Sequence, residues 1–507
     1  MDNRLSVPGT SLSAEPPPGR RRSSRWLRRV LVTALAGGVV AGAVLTLLPG
    51  ERRPESGGPA ALPAAGPQAR ARAEARARAE ARARAEALTA VTSGVPAALP
   101  QLTSLIGQQE ERVRARPQDA KAWAVLGAAY VQRGSRTADA ADYPRAERAL
   151  RTSLQVRAER NTEALDGMAA LALARRDFPA AKRYAEQALK AAPGRWSAYP
   201  PLIDAYDGLG DYEAARKNLD KLLGLRTGTA ARPAVMARAS AVYRDRGWRE
   251  DAVAQLTDAA AAAQAPAEQA AYLAGLGRLA WERGDLDDAL RHFEAALRLD
   301  RDQRAAQAGR GRTLAALGRP REAVAAYRAA LAGEANPQDV LELGELYESL
   351  GQEADAEAQY EQLRTRVRRA VAGGVDEDLL IGRFEADHGD PWDAVERLQE
   401  EWRRQPGIEV ADALGWALHR AGEDQEALTY ATVATDKAKG GGVRSAPYTF
   451  HLGMIEGELE RYGPARRHLQ EALRINPHFS PLGVPEARRA LAALGDVPEE
   501  PLPAEAP

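Results

Sequence analysis

An all-α fold, a solenoid of about ten helix-turn-helix units preceded by one transmembrane helix, is predicted for this 507-residue chain by three observations. Ten alanines, Ala146, Ala181, Ala215, Ala252, Ala289, Ala323, Ala356, Ala394, Ala427 and Ala465, recur every 33 to 38 residues. A second series keeps the same beat just upstream: Gly134, Gly210, Gly247, Gly284, Gly318, Gly351, Gly389 and Gly422. The third is the uncharged run Val30 to Leu48. A period near 34 residues marks paired-helix units, none of which can bury its apolar face alone, so they stack.

Residues 1–29 hold Arg20, Arg21, Arg22, Arg25, Arg28 and Arg29 and read as a cytoplasmic tail. Residues 30–48 would span about 28 Å as a helix, the thickness of a bilayer core. Arginines on one flank only keep that flank in the cytoplasm, which predicts a single-pass membrane protein with an extracytoplasmic solenoid, or a secreted form if the segment is cleaved. Residues 49–68, rich in Pro, Gly and Ala, form a linker. Residues 69–88 repeat ARARAE three times, placing Arg and Glu four apart in an alanine background, which favours a solvated helix. Its excess arginine would also suit acidic lipid headgroups. Residues 89–116 carry Leu102, Leu105, Ile106 and Val113 and are expected to form an entry helix. At the other end, 483–507 should hold a closing helix, Pro485 to Leu494, and an acidic tail.

The units fill 117–482. Each opens with apolar residues on one helical face, as in Trp123, Leu126, Gly127, Tyr130, or Val340, Leu343, Gly344, Tyr347. A glycine such as Gly351 ends the first helix by taking the left-handed conformation, and Ala356, Tyr360 and Leu363 mark the inner face of the second. Gly127, Gly277, Gly311, Gly344, Gly382, Gly415 and Gly453 recur inside the first helix. A mid-helix glycine costs about 1 kcal/mol against alanine, so close approach of the two helices is the expected reason. "AWAVLGAAY", "LELGELYESLG", "YEAARKNL", "DALRHFEAALRLD" and "GPARRHLQEALRINP" resemble the tetratricopeptide repeat family, and the resemblance implies a right-handed α-superhelix that binds other proteins. The chain departs from the pattern in the first repeat, with extra residues near Ser135 to Ala141, in the second, with Arg176 at the turn, and in the third, where Pro200 and Pro201 suggest an irregular helix.

Formal charge is zero overall, but residues 1–88 carry 15 Arg against 7 acidic groups, leaving the solenoid mildly acidic. Nucleic-acid binding needs clustered positive charge and is not expected. With no cysteine, disulfides, thiolate metal sites and catalytic thiols are excluded. No phosphate-cradling loop, nucleophile elbow or zinc-protease helix occurs, so neither an enzyme nor a cofactor is expected. Four of six histidines, His419, His451, His468 and His478, fall in the last two repeats and their exit, but without a pair four apart they predict no metal.

In the family, first helices line a concave groove. That face maps to Arg244, Arg278, Trp281, Arg312, Glu345 and Arg383, then to a more apolar patch of Trp416, His419, Phe450 and Met454. Aromatics and arginine are what binding hot spots favour, although Trp416 and Phe450 could equally fill gaps between helices. The chain thus reads as a scaffold holding a protein or peptide partner in the groove and meeting the membrane through 30–48, with envelope assembly, secretion or maturation of a membrane complex as its setting. A non-catalytic subunit of an enzyme complex and a cytoplasmic regulatory module are the alternatives.

Overall fold

Each marker alanine lies at the floor of a helix pair, at most 3 % exposed. The computed structural model describes residues 67–436 and 442–495, which form 23 α-helices and one 3-10 turn, with no strand among the described residues. After α1 (Pro67–Ser93) and α2 (Leu99–Ala115) come ten pairs, each a first helix A and a second helix B. They are α3 (Ala120–Thr137) with α4 (Asp142–Val156), α5 (Thr162–Ala174) with α6 (Phe178–Ala191), α7 (Tyr199–Gly208) with α8 (Tyr212–Gly224), α9 (Arg232–Asp245) with α10 (Arg249–Ala262), and α11 (Pro266–Glu282) with α12 (Leu286–Leu299). Then follow α13 (Arg304–Ala316) with α14 (Pro320–Ala330), α15 (Pro337–Ser349) with α16 (Glu353–Ala372), α17 (Asp378–His388) with α18 (Pro391–Arg404), α19 (Ile408–Arg420) with α20 (Asp424–Thr435), and α21 (Ala446–Glu458) with α22 (Tyr462–Ile475). The last helix is α23 (Gly483–Ala493).

Six of the seven interior glycines have a common cause; at the seventh, Gly415, a Cβ would instead lie 3.0 Å from the Ala431 backbone nitrogen. A Cβ on Gly127, Gly277, Gly311, Gly382 or Gly453 would lie 2.5 to 2.9 Å from the side chain four residues after the marker alanine: Leu150, Phe293, Tyr327, Leu398 and Leu469 respectively. Gly344 stands in the same relation to Tyr360. The large B-helix side chain seats in the dent, and at Leu150 and Phe293 a glycine of the following repeat, Gly167 or Gly309, closes from the other side. Burying such a side chain outweighs the helix cost of the glycine.

Most turn glycines, such as Gly351 with φ +70°, take the left-handed conformation, and Arg176 adopts it at φ +60° in their place. Two members of the series differ from expectation. Gly134 lies inside α3, which the extra residues of the first repeat lengthen until Ala138 closes it at φ +56°. Gly389 sits at φ −138°, because the Asp390 carboxylate caps α18 by accepting from the Trp392 amide and the chain turns without a left-handed residue. The third repeat is irregular at its start, where the 3-10 turn Trp196–Ala198 leads into a short α7; Pro200 and Pro201 fall in the first turn of α7, where amides need no helical acceptor.

The coil also meets itself. Arg175 Nε donates to the Gly373 carbonyl (3.0 Å), the Asp376 amide to the Arg175 carbonyl (2.9 Å), and the Ile408 amide to Tyr212 Oη (3.0 Å). Arg249 donates to the Arg444 carbonyl (2.6 Å) and Asn476 Nδ2 to the Trp281 carbonyl (2.8 Å). The side-chain bonds in this group join residues 195 to 198 positions apart. One superhelical turn therefore spans five to six repeats, and the A–B turns of the first winding touch the inter-repeat loops of the second along a seam.

The expected single-pass membrane placement is corrected: no helix of the described residues is long and apolar enough to cross a membrane. The run 30–48 on which that placement rested lies outside the described residues, as do residues 1–66 altogether. The ARARAE segment is helical within α1, with ion pairs such as Arg82–Glu86 (2.9 Å), and α1 continues to Ser93, burying Ala87, Ala90 and Val91.

Candidate functional site

The A helices turn one face inward, so residues a repeat apart in sequence become neighbours around the axis of the coil. Arg244, Arg278, Trp281, Arg312, Arg383 and Trp416, contributed by α9, α11, α13, α17 and α19, line one cavity of about 510 Å³, with Glu345 of α15 among them. His419, Phe450 and Met454 do not.

Most of the cavity's charge is compensated internally. Arg244 Nε reaches both Glu282 oxygens (3.0 and 2.9 Å), and its Nη1 reaches Asp245 (2.7 Å). Arg312 grips Glu342 through Nη2 (2.6 Å) and Nε (3.2 Å), while Tyr327 Oη donates to the same carboxylate (3.0 Å). Its guanidinium lies 5.8 Å from the Trp281 ring centre. Burial alone would lower both arginine pKa values; the facing carboxylates outweigh it and hold them above the ordinary range. Burial likewise opposes, and Arg383 and its cationic neighbours reverse, the shift of Glu409, which ends below its usual value.

Arg383, half-buried, donates to the Glu409 carbonyl (3.4 Å). Arg278 stands apart by its exposure. Its contact is Glu282 at 3.9 Å, beyond hydrogen-bonding distance, and 55 % of its side chain remains accessible. The positive charge of Arg244, with burial second, lowers its pKa. It carries spare donors into the lumen.

The apolar patch divides. Trp416 is 5 % exposed and presents only part of its ring to the cavity; its Nε1 donates to Asp387 (2.9 Å) and its ring stacks on His451 at 4.3 Å. Phe450, 3 % exposed, packs between Trp416 and Phe479, under Gly483 of α23. This replaces the groove placement of Phe450 with a core one, because the closing helix covers it. Met454 packs against the same C-terminal core, and His419 is bound to Asp424 (2.5 Å). Two of the other late histidines bind a carboxylate of their own: His451 with Asp412 (2.9 Å) and His468 with Glu456 (2.6 Å).

Sequence reasoning missed a second cavity of about 520 Å³. It is walled by the end of α1 and the connection after it, Val91 to Pro96, by Val125 and Ala128 of α3, and by Asp166, Trp196, Pro200 and Arg238. Arg278 lines both cavities. Burial pushes the Asp166 carboxyl up, against Arg195 (2.7 Å) and Ser197 (2.8 Å), which bind it. No periodic signal marks this site, since it depends on where the connection before the first repeat folds. Equally unmarked is a carboxylate group, Asp376, Asp378 and Glu401, whose oxygens lie within 4.8 Å of one another. Arg404 sits among them, 2.7 Å from Asp376 and 2.8 Å from Asp378, and supplies the countercharge.

No curated protein matches the sequence. Among solved structures, the human IFIT1 dimer with PPP-AAAA is 17 % identical over 66 % of this chain and 78 % of that one, with a TM-score of 0.43. A Pseudomonas aeruginosa structure, titled for the functional characterization of pilF, is 21 % identical over 40 % of this chain and 90 % of that one, with a TM-score of 0.33. The sequence model of the family described as Tetratricopeptide repeat matches residues 274–340, which hold the end of α11, the whole of α12 to α14 and the start of α15. That stretch is thus tetratricopeptide repeat, and its helix pairing recurs on both sides of it with the same alanine and glycine registers.

Proposed function

We propose that the protein is a non-catalytic scaffold that holds an extended segment of a partner protein in its lumen, anchored at Arg278. Tetratricopeptide repeats generally serve protein–protein interaction, and their folds are generally non-catalytic. The observation that carries the reading is the contrast within one cavity. Arg244 and Arg312 are each hydrogen-bonded to a carboxylate, whereas Arg278 makes no close bond and has accessible donors where the two cavities meet. An acidic side chain or terminal carboxylate of a partner would supply the close hydrogen bonds Arg278 lacks, and the exposed part of Trp281 and Trp416 would flank it. A cavity of about 510 Å³ takes a few side chains rather than a folded domain, which favours an extended segment.

A photo-crosslinking residue placed at Gln338 or Glu345 in the native cell tests this against the same residue at the outward-facing Glu357. The lumen positions should capture a defined partner that Glu357 does not, and Arg278→Glu should abolish capture from Glu345. Equal capture from all three positions would remove the lumen as the binding surface. Copurification of an enzymatic activity with the captured chain would identify the scaffold as a subunit of an enzyme complex.

A further inference from the structure

We propose that the protein stacks head to tail with further copies of itself, through the two edges its own seam leaves free. The seam joins unlike edges: A–B turns of the first winding receive inter-repeat loops of the second. Every repeat carries both kinds. Among the described residues the turns of the sixth to tenth repeats and the loops after the first to fourth therefore remain open, and they are the partners the seam would need in order to continue into another chain.

The residues repeat along with the geometry. Gly210 and Gly247 are left-handed, at φ +73° and +75°, and the carbonyls of Pro406 and Gly442 occupy the place where a side chain would begin. Gly318, Gly351 and Gly422 hold the same conformation, at φ +69°, +70° and +84°, with nothing within 4 Å. On the loop side, Pro406-Gly407 seats against the third repeat, a Cβ on Gly407 lying 3.0 Å from the Gly208 carbonyl. Pro193-Gly194 is the same pair in the loop after the second repeat, and Gly194 has open space. Tyr212, the first residue of α8, accepts the Ile408 amide across the seam, whereas Tyr462, the first residue of α22, is 55 % exposed. Trp392 (55 %) and Leu350 (41 %) are exposed along the same edge of repeats eight and seven. The two free edges differ from one another, so the contact is heterologous: each added copy leaves one new edge of each kind, and the array is open-ended.

The chain lacks cysteine, which makes the test clean. Full-length chains carrying Gly194→Cys are mixed with chains carrying either Leu350→Cys or Trp392→Cys and treated with a short bis-maleimide. Stacking predicts a cross-linked dimer in a mixture at least ten-fold more abundant than in any single-variant sample, because each variant alone has its cysteine on only one kind of edge. The parent should sediment with an average mass that rises past two chains with concentration, and Gly194→Arg should return it to a single chain. Single variants that cross-link to themselves as readily as the mixture would overturn the proposal by showing a symmetric or random contact. So would the absence of mixed product from variants that melt like the parent.

Discussion

Gly344 and Gly210 are both fixed by register, for different reasons, and substitution separates them. At Gly344 a side chain would collide with the Tyr360 ring inside one repeat, so Gly344→Leu should lower unfolding free energy by about 1–3 kcal/mol, read from the denaturant midpoint at unchanged slope. Gly210→Ala and Gly351→Ala both force alanine into the left-handed region, at about 1–2 kcal/mol. Gly210→Ala should cost more, because the Pro406 carbonyl occupies the Cβ position there and nothing does at Gly351. Equal losses would mean that the seam is not closed in solution. Phe450→Ala, as a core truncation, should cost about 3–5 kcal/mol. The interior glycines were legible in the sequence because their partners lie within the same period. Phe450 was not, since it shares the register of groove residues until α23 folds over it.

At the scale of elements, the helix pairs could be read directly because an alanine, a turn glycine and an apolar face are all local signals. The connection between α1 and α2 carried none of these. α1 looks like a solvated helix by composition, yet Ala87, Ala90 and Val91 are buried beside Leu102 and Leu105 in one cluster. Deleting residues 67–96 together with everything before them should therefore destabilise the solenoid by about 2 kcal/mol relative to a chain starting at residue 67, by the apolar area lost. Thermal melts of the two chains check it; identical curves would make α1 a spectator.

For the whole molecule, the seam is what sequence reasoning could not see. Its contacts join loops some 195 residues apart through backbone carbonyls, which leave no side-chain pattern. One titrating group lies beside it. Burial, against Arg176 and reinforced by Asp376, raises Glu377 from 4.5 to about 7, so the folded state keeps its proton where the unfolded chain has lost it. Between those values the unfolded state binds fewer protons and stability falls as pH rises, with the full penalty above about 7. Glu377→Gln should accordingly melt above the parent at pH 8 and with it at pH 4. A constant difference across that range would show that the side chain does not titrate on folding.

An open solenoid tolerates the loss or gain of one repeat, since each unit answers only to the next. Here the thread of the screw is cut to a fixed pitch. Excising one of the sixth to tenth repeats would set a different loop against the turn of the fifth, so that the Asn476 amide would no longer face the Trp281 carbonyl. The number of repeats between the two partners of each seam contact is thus constrained by the winding, as tooth count is in meshed gears.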